Sequence, residues 1–102
     1  MKQFNNNVPI REAILNLGLH IHLIVCSFED YRALEDSLGS SVQYCDIKTE
    51  EIEYRAIQLG NKALVVPSDE LPKGMYVAFK DMNKPQTTVL DWALNQKYLK
   101  EY

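Results

Sequence analysis

The chain has 102 residues, 46% hydrophobic and 25% charged, with a formal net charge of −3; that is enough chain for one unstapled core and too little for two. No run is apolar and long enough to be a membrane-spanning helix, and no basic stripe offers itself to double-stranded nucleic acid. The opening MKQFNNNVP lacks an apolar signal region, so the expected setting is the cytoplasm.

Residues 1–6 are polar, Asn-rich and without period, which predicts a loose arm. Asn7 stands where it can cap a first helix with Pro9 in its first turn. Ile10, Ala13, Ile14 and Leu17 follow at the spacing of one buried stripe. Gly18 is placed to stop that helix, because glycine enters the left-handed region without a Cβ penalty. Residues 19–28, LHIHLIVCSF, form the longest apolar run, and their bulky and β-branched side chains predict a central strand. Strand alternation puts Leu19, Ile21, Leu23 and Val25 on one face and His20, His22, Ile24 and Cys26 on the other. The second face passes from polar to apolar, so both faces should be covered toward Cys26, with the histidines near a rim.

Ser27 and Asp30 have the spacing of a capping box, predicting a helix from about Phe28 to a stop at Gly39. Its inward stripe is Tyr31, Leu34 and Leu38; Glu29, Arg32, Glu35 and Asp36 are expected in water. A strand over 42–48 sets Val42 and Tyr44 on one face, Cys45 and Ile47 on the other. It completes a β-α-β unit whose crossover is right-handed if the strands are parallel. Over 49–59 two signals compete: Thr49-Glu50-Glu51 resembles a helix start, whereas Ile52, Tyr54 and Ala56 alternate with Glu53 and Arg55. The Gly60-Asn61 pair decides for a hairpin with strands at 51–59 and 62–66, in which Ile57 pairs with Leu64 and Leu59 with Lys62.

Residues 67–74, PSDELPKG, read as a loop, and 75–80 as a strand with Met75, Val77 and Phe79 on one face. Thr88 and Asp91 offer a capping box for a last helix that carries Val89, Leu90, Ala93 and Leu94 inward. Together these predict one α+β domain over 1–102, with about three helices on a mostly antiparallel sheet of about five strands, in the order α-β-α-β-β-β-β-α.

His20-Ile21-His22 is the sharpest chemical signal. On a strand, the two side chains share a face with their Cα atoms about 6.5 Å apart, so the imidazoles can converge on a metal such as zinc, with Cys45 or Asp46 as a third ligand. That reading makes the chain a small metal-dependent hydrolase with bound water as nucleophile. Two ordinary hydrogen-bonded histidines at a strand edge are the commoner outcome, and no third ligand has a set spacing. Cys26 lies in an apolar run and reads as core; Cys45 has Asp46 beside it, which opposes thiolate formation. Neither cysteine belongs to a C-x-x-C pair, which suits a reducing compartment. Phosphate-loop, dinucleotide, serine-hydrolase, zinc-protease and calcium-loop patterns are all missing from the sequence.

Binding is the expected activity. Tyr44, Tyr54 and Tyr76 fall in separate strands; side by side on an open face they would form an anchor cluster or stacking platform, although tyrosines beneath a helix are commoner. Glu70 and Lys73 sit on the proline-bracketed loop, and Tyr98 in the C-terminal segment 97–102, KYLKEY. The expectation is a small cytoplasmic, non-catalytic protein without a cofactor, serving as regulator, inhibitor or accessory subunit. It binds a protein partner or a second copy of itself through Tyr54, Glu70, Lys73, Tyr76 and Tyr98. A further alternative, an acidic mimic of nucleic acid built on residues 46–53, has the small net charge against it.

Overall fold

The fold is given by a computed structural model that describes residues 1–18, 21–48, 53–60, 63–81 and 99–101. Among the described residues seven strands form one sheet: β1 (Lys2–Gln3), β2 (Leu23–Cys26), β3 (Tyr44–Lys48), β4 (Glu53–Leu59), β5 (Ala63–Pro67), β6 (Met75–Asp81) and β7 (Leu99–Glu101). Their order is β1-β6-β2-β5-β4-β3, with β7 also on β6. Two helices, α1 (Ile10–Leu15) and α2 (Phe28–Leu38), complete the described α+β domain. Most pairs are antiparallel, as expected, but β2 pairs parallel with β5 and antiparallel with β6, so the sheet is mixed. The sheet also exceeds the expected five strands, because short strands at both ends of the chain join it. The expected third helix lies outside the described residues.

Alternation along β2 divides the core in two. Ile24 and Cys26 pack with Ala13 and Ile14 of α1, with Tyr31 and Leu34 of α2, and with Ile57, Val65 and Ala78 of the sheet. Leu23 lies on the other face with Ile47, Ala56, Leu64 and Val66. Both helices therefore cover one face. Each fully buried aliphatic side chain of this kind is worth about 1.5–3 kcal/mol relative to exposure. Ile21 does not stay with Leu23 as expected but joins the helix-side cluster. The strand proper begins only at Leu23, and the chain before it need not keep a two-residue alternation.

The two helices begin differently. Ser27 caps α2 as its spacing predicts, with Oγ accepting the Asp30 amide at 3.1 Å, and the helix ends at Gly39 with φ +54°. In α1 the capping position is Pro9, whose ring offers no hydrogen-bond acceptor, and Asn7 is not the cap. The Asn7 amide instead donates to Asn5 Oδ1 at 3.0 Å in an Asx-type turn. The predicted stripe is present nonetheless: Ala13 and Ile14 are buried, with Ile10 and Leu17 packed at the margin.

The unit β2–α2–β3 is a parallel crossover whose strands are not neighbours, since β5 and β4 lie between them and their antiparallel pairings restore the direction. In the β4–β5 hairpin Leu59 pairs with Ala63 and Ile57 with Val65, not with Lys62 and Leu64 as expected. The connection thus has three residues rather than two, starting at Gly60 with φ +61°. A slip of one residue turns a strand over. Val65 accordingly joins Ile57 beneath the helices, while Leu64 faces the second cluster.

The N-terminal residues form β1 where a loose arm was expected: Lys2 pairs with Tyr76 and Gln3 with Met75. Phe4 follows, only 6% exposed, with its ring stacked on Tyr76 at a centroid distance of 4.4 Å.

Candidate binding groove

Because β2 and β5 run parallel, both leave the sheet at the same end. Cys26 is opposite Pro67 there, and the Ser68 amide donates to the Cys26 carbonyl at 2.8 Å. Ser27 then turns one chain into α2, and Ser68 turns the other into a loop. β4 runs the opposite way, so its first residues arrive at this end too. An open groove of about 620 Å³ lies between the outward side of α2, the start of β4 and residues 67–70. Chains diverge at the carboxyl ends of parallel strands, which is why sheets so often hold ligands there.

A polar cluster sets the position of the groove's walls. The Tyr31 hydroxyl donates to the Arg55 carbonyl at 2.7 Å, and the Tyr44 hydroxyl donates to the Glu35 carboxylate. The Arg55 guanidinium lies 4.0 Å above the Tyr44 ring. Tyr31 and Glu35, one helical turn apart on α2, thus clamp the edge pair β3–β4. Glu35 is half-buried in this contact and does not simply point to water. Burial first, and then the Glu35 charge, push the Tyr31 phenol up to about 12. The hydrogen bond to Glu35 raises Tyr44 as well. Both hydroxyls are therefore protonated donors at neutral pH.

A second polar junction fixes the loop. Asp30 is 7% exposed; its Oδ2 accepts from Ser27 Oγ at 3.0 Å and from the Gly74 amide at 2.7 Å. The Gly74 carbonyl accepts the Phe4 amide at 2.8 Å. Residues 68–74 are consequently fastened at both ends, and the Glu70 amide donates to Ser68 Oγ at 3.2 Å within them. Burial, with a smaller push from the Asp30 charge, raises the Cys26 thiol to about 12. Cys26 is a core residue without nucleophilic character.

The residues singled out from the sequence are dispersed. Tyr54 is half-buried in the groove wall, and Glu70 is exposed on its rim. Lys73 is exposed on the same loop but away from the groove lining. Tyr76 is 5% exposed beneath Phe4. Tyr44 and Tyr76 belong to the helix-side cluster and Tyr54 to the other, so the three tyrosines make no common platform. His20 and Tyr98 lie outside the described residues, as do residues 49–52 of the acidic stretch. His22 is half-buried, its amide on the Phe79 carbonyl at 2.9 Å. Cys45 and Asp46 cannot serve as its third metal ligand, because β3 is three strand spacings, about 14 Å, from β2. Among the described residues no three His, Cys, Asp or Glu side chains gather into a metal-binding group.

Phe28, Arg32 and Asp69 also line the groove and escaped the sequence reading. The one available signal was Phe28, a large apolar residue at the helix start that the inward stripe left unused. Comparison of the chain with protein-family models, with curated proteins and with solved structures finds no match in any of the three. The groove alone carries the functional reading.

Proposed function

We propose that the protein is a non-catalytic binding module that engages another macromolecule through the groove between α2, the start of β4 and residues 67–70. The observation that supports this is Phe28, 42% exposed in the wall of a concavity whose flanks are held by partly buried hydrogen bonds. A single exposed apolar residue is ordinary on a protein surface. An exposed aromatic inside a preformed hollow, with charges around it, has the anatomy of an interface hot spot: the ring desolvates and the charged margin fixes orientation. Tyr54 and Glu70 stand in the same wall. Because helix, strand and loop are already fastened together, little ordering cost is left to binding. A regulator, inhibitor or accessory subunit would work in this way, and the two free thiols suit the reducing cytoplasm.

The test is parallel affinity capture from the source cells with wild type and Phe28→Ala, followed by affinity measurement with the purified partner. Wild type retains a partner chain or a second copy, and Phe28→Ala weakens it about tenfold or more without changing the thermal midpoint. Retention that neither Phe28→Ala nor Glu70→Ala disturbs would place the interface elsewhere.

A further inference from the structure

We infer that the segment this groove receives is basic, a stretch of partner chain presenting lysine or arginine side chains. The inference rests on the binding-module reading and narrows it to a partner class. Four carboxylates line the groove, on Glu35, Glu53, Asp69 and Glu70, against the two guanidiniums of Arg32 and Arg55. The lining is therefore net negative by two. Arg55 is laid over the Tyr44 ring and Glu35 accepts the Tyr44 hydroxyl, so the preference for a basic segment rests on the two loop carboxylates, Asp69 and Glu70. Asp69 and Glu70 are exposed on a loop whose ends are tied to Cys26 and Asp30, so these charges are presented at set positions. A concave wall of one sign focuses its field outward and raises the local concentration of the opposite charge.

The apolar part of the groove fits the same occupant. Phe28 and Pro67 offer a surface along which the methylene stem of a lysine or arginine can lie while its charged end reaches the carboxylates of the loop. The face of the Phe28 ring adds a cation–π attraction. The start of α2 would ordinarily favour an anion, but Glu29 and Asp30 in its first turn and the Ser27 cap already answer the helix dipole. An acidic peptide or a nucleic-acid backbone would meet a lining that is net negative by two, with Asp69 and Glu70 exposed on its rim. The volume of about 620 Å³ is suited to a few side chains of an extended segment.

The experiment is an NMR and fluorescence-polarisation titration of the full chain with a labelled decapeptide of alternating lysine and alanine, and with its glutamate–alanine counterpart. Expected are saturable shifts at the amides of Phe28, Arg32, Ser68 and Glu70, and binding of the lysine peptide about tenfold or more tighter than its counterpart. Asp69→Lys with Glu70→Lys should lose about tenfold in affinity, whereas Glu12→Lys with Asp36→Lys, an equal change of net charge on exposed positions outside the groove, should lose little. Equal losses from both pairs, or shifts spread over the whole surface, overturn the inference by reducing it to net charge. Groove shifts with the glutamate peptide alone overturn the basic class and leave the groove standing. Insensitivity of the captured partner to Phe28→Ala is the separate result that removes the groove reading itself.

Discussion

The Gly74 amide donates to Asp30 Oδ2 at 2.7 Å, joining residues 44 apart in sequence and fastening the end of a surface loop to the first turn of α2. The same oxygen accepts from Ser27 Oγ, while the Asp30 amide donates back to that hydroxyl. One buried carboxylate thus serves both the helix cap and the loop.

Asp30→Ala leaves the Gly74 amide and the Ser27 hydroxyl without their acceptor. Hydrogen bonds to charged groups contribute about 1.5–3 kcal/mol, so a loss of about 2–3 kcal/mol is expected. Urea denaturation should show a lower midpoint at unchanged slope. A double-mutant cycle with Ser27→Ala should reveal coupling, since the two side chains touch. Additive effects would mean that the Ser27–Asp30 contact contributes nothing of its own.

Phe4→Ala removes a buried ring from its stack on Tyr76 but keeps the amide that donates to Gly74. Such truncations cost about 3 kcal/mol. The expected result is that loss in urea titration, with faster tryptic cleavage after Lys2 in the native protein. A stability within about 0.5 kcal/mol of wild type, the range of ordinary surface substitutions, would return residues 1–4 to the status of an arm.

Local signals in the sequence located α2 well. Ser27 with Asp30, the stripe Tyr31, Leu34 and Leu38, and Gly39 are all readable within one element, and the opposed faces of β3 follow from alternation over Val42, Tyr44, Cys45 and Ile47. What escaped depends on distance along the chain. β1 is two residues with no period, and its partner is β6, whose Tyr76 and Met75 lie far along the chain from Lys2 and Gln3. The hairpin register turned on whether Lys62 belongs to the loop, a single residue that inverts β5. Tyr54 and Glu70 were singled out and do line the groove, but the groove itself arises because the parallel pairing of β2 with β5 gathers three separate segments. No spacing within any one of them encodes that meeting.

Alkaline pH should destabilise the protein. Unfolded, a cysteine and a tyrosine lose their protons near 9.0 and 10.0, whereas folded Cys26 and Tyr31 hold theirs to about 12. Between those values the unfolded state binds fewer protons, so the stabilisation is complete below about pH 9 and falls as the pH rises toward 12. Urea midpoints measured from pH 8 to 11 should fall steadily, and Tyr31→Phe should shallow the decline. A flat profile above pH 9 would contradict the burial of both groups.

The two thiols should be told apart by a thiol-directed reagent. Cys26 is fully buried with its pKa pushed up, leaving on the order of one thiolate in ten thousand at pH 8. Cys45 is half-buried on edge strand β3. Native protein should take up one equivalent promptly, assigned to Cys45 by peptide mapping, and the second only on unfolding. Prompt labelling of Cys26 would show that the core beneath α2 opens readily.

The placement of β2 has a consequence for how the molecule is born. Its first residue, Leu23, pairs with Leu64 of β5 and Phe79 of β6, roughly 40 and 55 residues farther along the chain. Until those strands are made, the apolar segment at 23–26 has both of its edges unpaired, and α1 and α2, which pack on one of its faces, are its neighbours in sequence. Closing such long loops is slow, and a waiting strand of this kind is an invitation to stray pairing. The helices on either side of β2 in sequence therefore act as its guardians during synthesis, and their loss should lower the yield of soluble protein before it alters anything the finished domain does.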